Sequence, residues 1–240
     1  MEAVIDIGNT MIKLGYFIND GIHEVKEFIT KDDLLSDLRY NEIESCIVSS
    51  VRSREFNDDL ASQLADRCKL IILDHNTPLP INLDYETPAT LGRDRIAAAV
   101  GARFLCPDAN VLAIDAGTCI TYEFVRADGT YLGGNISPGI TLRSKAMNEY
   151  TGALPLVNDF DRPSLIGKST KEALQNGVMN GMIYEVNGYI ESFKKHYADL
   201  LVILCGGQAR YLVNHINYEI FANRNLVLLG LHKILKHNDP

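Results

Sequence analysis

Two short stretches carry an acid, a glycine and small hydrogen-bonding side chains in an order suited to phosphate chemistry. In the first, the apolar residues Val4-Ile5 lead into Asp6-Ile7-Gly8-Asn9-Thr10 and then Met11-Ile12-Lys13. The carboxylate is a hard oxygen donor for Mg²⁺, and the glycine lets backbone N–H groups approach a ligand closely. Asn9 and Thr10 add hydrogen bonds and Lys13 adds charge, so the stretch holds the parts of a phosphate and Mg²⁺ cradle. Taken alone, it also reads as a hairpin whose Asp and Asn cap a turn.

The second stretch repeats the arrangement. Val111-Leu112-Ala113-Ile114 runs into Asp115-Ala116-Gly117-Thr118, and Ile120, Tyr122 and Phe124 then alternate with Cys119, Thr121 and Glu123. Strand, acidic turn and returning strand occur twice, which predicts two related halves facing one cleft. A third turn, Cys205-Gly206-Gly207-Gln208, follows the apolar run from Leu200 to Leu204 and precedes Ala209-Arg210-Tyr211-Leu212. Its paired glycines would let backbone lie flat against a planar or phosphorylated ligand.

A further candidate is Leu91-Gly92-Arg93-Asp94-Arg95. Ile96, Val100 and Phe104 follow at helical spacing with Ala97, Ala98, Ala99 and Gly101 between them, so Asp94 and Arg95 fall in the first turn of a tightly packed helix. An acid there is favourable against the helix dipole without further function, whereas an arginine at that end opposes the dipole and asks for an anionic ligand. The Pro-rich stretch 76–91, with Tyr85 in its middle, reads as a surface loop.

The elements that must position these residues follow in order. Gly21 to Phe28 is predicted to complete an antiparallel meander with the first hairpin. Lys31 to Arg39 reads as a short helix, Ser45 to Val51 as a buried strand, and Ser53 as the N-cap of a helix carrying Phe56, Leu60 and Leu64. Lys69 to Leu73 is the next strand. Gly129 to Ile136 gives a turn and strand ending at Ser137-Pro138-Gly139, Ile140 to Tyr150 a helix, and Thr151 to Pro163 a loop. A long helix runs from Ser169 or Thr170 to Lys195, with Ala173, Leu174, Val178, Met182 and Ile190 as a core or dimer stripe. A strand precedes Cys205, another lies near Tyr218 to Phe221, and an apolar helix runs from Leu226 to Leu235. Three antiparallel strands followed by alternating strands and helices predict an α/β fold of two ribonuclease H-like (actin-like) lobes, with mixed sheets flanked by helices. The lobes are placed at 1–107 and 108–240.

Composition narrows the function. A 46% hydrophobic content supports a real core, and a net charge of −8 without a basic cluster argues against nucleic acid as the main partner. The apolar runs are too short to span a bilayer and no signal segment leads the chain, so a soluble cytoplasmic protein is expected. Cys46, Cys68, Cys106, Cys119 and Cys205 are scattered and mostly set in apolar segments, reading as reduced residues. Neither they nor the six histidines have the spacing of a zinc site.

Assembled, these residues resemble the type III pantothenate kinases of bacterial coenzyme A synthesis, in the acetate and sugar kinase, heat-shock protein and actin superfamily. Asp6 to Lys13 is similar to that family's first phosphate motif, Asp115 to Thr118 to its second, and Gly92-Arg93-Asp94-Arg95 to its substrate motif. Gly133 to Gly139 and Ala153-Leu154-Pro155 also fit, and Cys205 departs from the Thr often found before the glycine pair.

The resemblance implies transfer of the γ-phosphoryl group of ATP to the primary hydroxyl of pantothenate. It makes Asp94 the proton acceptor and gives pantothenate to Tyr85, Gly92, Arg93, Asp94, Arg95 and Thr170. The phosphates and nucleotide fall to Asp6, Ile7, Gly8, Asn9, Thr10, Lys13, Gly117, Thr118, Gly206 and Gly207. Asp6 would hold Mg²⁺ through water and Asp115 a K⁺ or NH₄⁺ ion, and a homodimer is expected. The rival readings are an actin-like nucleotide-binding regulator, and a phosphatase or kinase acting on another small molecule.

Overall fold

A computed structural model describes residues 1–38, 42–160 and 163–238. The predicted end of the first helix at Arg39 and part of the 151–163 loop lie outside the described residues. By contact the chain forms two compact units: Met1–Asp108 with Asp128–Leu132 and Asn225–Pro240, and Ala109–Ala127 with Gly133–Arg224.

In the first unit, β1 (Glu2–Ile7), β2 (Ile12–Ile18) and β3 (Gly21–Phe28) form the meander, followed by α1 (Lys31–Leu38), β4 (Ser45–Ser50), α2 (Arg54–Leu64) and β5 (Lys69–Ile72). The sheet order is β3-β2-β1-β4-β5, with β1 antiparallel to β2 and parallel to β4. β1 is central and buries Ala3, Val4, Ile5 and Ile7 on both faces, which is why it reads as a continuous apolar run. Ala3, Ile5 and Ile7 join Val48, Leu34, Leu60 and Leu64 in one core cluster. As the sequence predicts, Ser53 caps α2 by accepting the Phe56 N–H.

The Pro-rich stretch is not wholly loop. It contains β6 (Asn82–Leu83) and a 3₁₀ turn at Pro88–Thr90 before α3 (Arg93–Leu105). β6 pairs in parallel with Thr130 and Tyr131, residues distant in sequence, so no local pattern marks it.

β7 (Val111–Ala116), β8 (Cys119–Val125), β9 (Thr130–Pro138), α4 (Ile140–Glu149), α5 (Thr170–His196), β10 (Leu201–Cys205), α6 (Ala209–Leu212) and β11 (Phe221–Ala222) follow. The second sheet runs β11-β10-β7-β8-β9-β6. β7 is antiparallel to β8 and parallel to β10, so the strands repeat the arrangement of the first sheet. Ser169 caps α5 through the Glu172 N–H, while Glu172 accepts from the Lys168 N–H, a reciprocal capping arrangement. Along α5, Leu174, Val178, Met182 and Ile190 are buried and Ala173 is exposed, so the predicted stripe is core apart from its first residue.

The final helix, α7 (Leu226–Asn238), packs on α3 within the first unit. The two backbones approach so closely that a Cβ on Gly230 would fall 1.8 Å from the Ala97 carbonyl oxygen. α7 also buries His232, which stacks on Phe17 at 4.0 Å and bonds Glu2 Oε2 through Nε2 at 2.7 Å. Glu2, Asp20 and His232 offer ligand atoms within 4.8 Å of one another, a grouping that histidine spacing does not reveal. Lys236 already gives Glu2 a cationic partner at 2.9 Å. All five cysteines are free, with Cys46 and Cys205 buried.

Candidate active site

The first acidic turn is built by strand register. Asp6, the penultimate residue of β1, is half-buried opposite Lys13 of β2, and Gly8 N–H closes the turn on the Met11 carbonyl at 3.0 Å. Asn9 and Thr10 are exposed at its tip, where short polar side chains are free to meet a ligand. β4 ends beside this turn: Ser49 is in register with Asp6 and Ser50 with Ile7, and the Val51 N–H bonds the Ile7 carbonyl.

The stretch Gly92 to Arg95 begins at the N-cap of α3, which is Gly92. Asp94 Oδ1 accepts the Arg95 backbone N–H at 2.9 Å, which orients the carboxylate at the start of α3. Glycine at 92 leaves room for this placement, since a Cβ there would meet Asp94 Oδ1 at 2.6 Å and displace the carboxylate. Arg95 is only 6% exposed and donates through Nη2 to the Tyr131 hydroxyl at 3.1 Å. Tyr85 lies against Tyr131 with ring centroids 6.0 Å apart. The β6 pairing is what holds Tyr85 there. Tyr131 thus links the adjacent pair Asp94 and Arg95 to Tyr85 in the first unit, and no local signal singles Tyr131 out.

The second unit assembles the other turns. Asp115, the penultimate residue of β7, is in register with Cys205 of β10, and the Gly117 N–H bonds the Cys119 carbonyl at 2.9 Å to close the β7–β8 turn. Thr118 is exposed and its carbonyl accepts the Gly139 N–H. Gly206 has φ +91°, and a Cβ there would meet Asp115 Oδ1 at 2.3 Å and the Ala116 carbonyl oxygen at 2.4 Å. Only glycine both adopts this backbone and lets the turn lie against Asp115. Gln208 locks the arrangement: its N–H bonds the Ala116 carbonyl at 2.8 Å and its Oε1 accepts the Ile140 N–H at 2.9 Å. Gly207 is exposed beside it.

Behind these turns, Glu185 of α5 accepts from Tyr122 at 2.8 Å and bonds Ser137 and Arg143, and Arg143 Nε donates to the Pro138 carbonyl at 2.7 Å. Burial raises the Glu185 pKa, but the hydrogen bonds from Ser137, Arg143 and Tyr122 outweigh it and hold the carboxyl below its ordinary range. Thr170 is the exposed first residue of α5. It belongs to the second unit, whereas Tyr85 and Gly92 to Arg95 belong to the first.

Comparison with known proteins gives these turns a context. A family model described as type III pantothenate kinase matches residues 3–192. A type III pantothenate kinase of Cytophaga hutchinsonii is 40% identical over 238 residues, covering 99% of this chain and 100% of the relative. Among solved structures, a candidate Baf family transcriptional activator from Campylobacter jejuni has a TM-score of 0.66 at 22% identity, covering 99% and 98% of the two chains. A ROK family glucokinase from Streptomyces griseus has a TM-score of 0.55 at 10% identity, covering 98% and 99%. Likeness at these low identities shows the fold alone, and it is the mixed α/β, actin-like fold expected from the element order. No helix among the described residues is long and apolar enough to cross a membrane.

Proposed function

The chain belongs to the type III pantothenate kinase family, and from that premise we propose how its own residues carry the reaction. The family's activity, and this chain's, is ATP-dependent phosphorylation of pantothenate, the first step of coenzyme A biosynthesis. Phosphoryl transfer needs positioning and charge neutralisation more than covalent chemistry, which suits a set of carboxylates, glycines, hydroxyls and cations.

In this reading Asp94 accepts the proton of the primary hydroxyl and orients its oxygen, giving 4′-phosphopantothenate. Arg95 pairs with the pantothenate carboxylate, Tyr85, Gly92 and Thr170 complete that subsite, and Arg93 borders it on the side of the first acidic turn. Asn9, Thr10, Lys13, Gly117 and Thr118 hold the phosphates with the backbone of Ile7 and Gly8. Gly206 and Gly207 carry the adenosine. The observation that carries the reading is the joint placement of Asp94, Arg95, Tyr131 and Tyr85 in one unit.

The donor chemistry fits the ions. Asp6 offers the hard carboxylate oxygen that Mg²⁺ takes, usually with waters retained, and the Asp115 carboxylate beside the glycine turn suits K⁺ or NH₄⁺. Such ions neutralise phosphate charge when bound. The two lobes expected at 1–107 and 108–240 differ from the contact units in that α7 packs on α3 of the first unit. Exposed Leu165, Ile166 and Tyr184 support a homodimer. The setting is the cytoplasm. An ADP-release assay with Mg²⁺ and K⁺ varied independently tests the ion roles. Asp6→Asn should weaken the Mg²⁺ response and Asp115→Asn the K⁺ response, and unchanged dependences would reject these assignments.

A further inference from the structure

We infer that Arg52, together with Arg93, grips the phosphoryl group in transfer. The inference rests on giving the Asp6 to Lys13 turn to the phosphates of ATP. Arg52 lies just beyond β4 and was not marked by any motif. Its Nε donates to the Gly8 carbonyl at 3.0 Å, and its backbone N–H bonds Ser50 Oγ at 3.1 Å. The guanidinium is therefore pinned onto the first acidic turn itself. Arg93 reaches the same strand end from α3, donating through Nη1 to the Ser50 carbonyl at 3.2 Å. That tie draws Arg93 towards the phosphate turn, while the neighbouring Arg95 is tied to Tyr131.

Charge separates this reading from that of a simple staple. Among the described residues, neither Arg52 nor Arg93 forms an ion pair with a carboxylate. Lys13 of β2, in register with Asp6, is a further cation of this strand end, and the nearby acids, Asp6 and Asp94, have roles of their own in the proposed function. A multiply charged anion would complete the balance. An arginine that spends Nε on a carbonyl keeps both Nη groups, about 2.3 Å from Nε by covalent geometry, as a planar fork suited to two phosphate oxygens. Ser49 is 0% exposed, its register puts it on the same face as Asp6, and its Oγ has no hydrogen-bond partner.

In the step itself, the γ-phosphorus bonds to the pantothenate hydroxyl oxygen as its bond to the β,γ-bridging oxygen breaks. ADP keeps that electron pair and Asp94 takes the proton. Arg52 and Arg93 hydrogen-bond the non-bridging oxygens over which the charge is spread.

The test uses the full chain with Arg52→Ala, Arg52→Lys and Arg93→Gln, measuring turnover, melting temperature and the affinities for ATP and ADP. Arg52→Ala is expected to lower kcat about 100-fold. Its ATP affinity should fall towards that for ADP, and ADP affinity should change less than about twofold. Added methylguanidinium should restore part of the rate to Arg52→Ala and none to the wild type, and Arg52→Lys should stay slow because an ammonium is a point charge. A near-wild-type kcat in Arg52→Ala overturns the inference, as does a loss that follows the melting temperature and ignores methylguanidinium. If Arg52→Ala does not fold, Arg52→Lys decides by the same rate and affinity criteria. If the wild type makes no pantothenate-dependent ADP, the kinase reading fails, while the ATP-to-ADP affinity comparison still judges Arg52.

Discussion

The Arg95 guanidinium donates through Nη2 to the Tyr131 hydroxyl, 3.1 Å away, in the interior of the first unit. In the proposed function this arginine meets the pantothenate carboxylate, and the hydroxyl helps hold its head in place. Tyr131→Phe should therefore raise KM for pantothenate about 10-fold, the loss expected for one hydrogen bond to a charged group. Affinity for ATP should stay near wild type. Initial-rate kinetics with each substrate varied, plus nucleotide titration, check this split, and an equal effect on both substrates would count against the Arg95 role.

Asp94→Asn keeps the shape of the carboxylate and its bond from the Arg95 N–H while removing the basic oxygen. Turnover should fall between about 100-fold and 10,000-fold, as expected on removing a general base. Calorimetry should still detect ATP. A variant with near-normal kcat would take Asp94 out of the base role.

Gly206→Ala should damage the second unit. The residue sits at φ +91°, and its new Cβ would press on Asp115 and the Ala116 carbonyl. The strained backbone costs about 1–3 kcal/mol before the clash is counted. Thermal melting should drop by several degrees and KM for ATP should rise, whereas Gly207→Ala, with open space around it, should melt near the wild type.

Acid should loosen the packing of α7. Burial pushes the His232 imidazole below its ordinary pKa, against the opposing pull of Glu2 and Asp20 and with a lesser push from Lys233. Because the unfolded chain then takes up the proton first, this contribution to stability is complete above the ordinary histidine range. It is lost as pH falls from about 6.5 through the lower folded value. Melting curves between about pH 8 and 5 should show this slope, and His232→Phe should flatten it. A slope unchanged by the substitution would assign it to other groups.

Much of this arrangement was legible in residue patterns. The central strands β1 and β7 announce themselves because they are buried on both faces and stop at acidic turns. Ser53 and Ser169 mark their helices because a cap is a local contact. Tyr131 and Arg52 escaped notice because their roles arise from pairings across the sheet and across 44 residues, respectively, which no short window contains. The same reason hid β6, whose two residues acquire strand geometry only from Thr130 and Tyr131. α7 was readable as an apolar helix, but its seat on α3 depends on small residues in both, Ala97 and Gly101 facing Gly230.

The central claim is most directly tested by product analysis. The wild-type protein is incubated with ATP, Mg²⁺, K⁺ and pantothenate, the products are followed by phosphorus NMR and mass spectrometry, and pantothenate is omitted in a parallel reaction. The account predicts a phosphate monoester of pantothenate formed in equal amount with ADP, and no ADP in its absence. ADP released at the same rate without pantothenate, or bound ATP left intact in its presence, would contradict it.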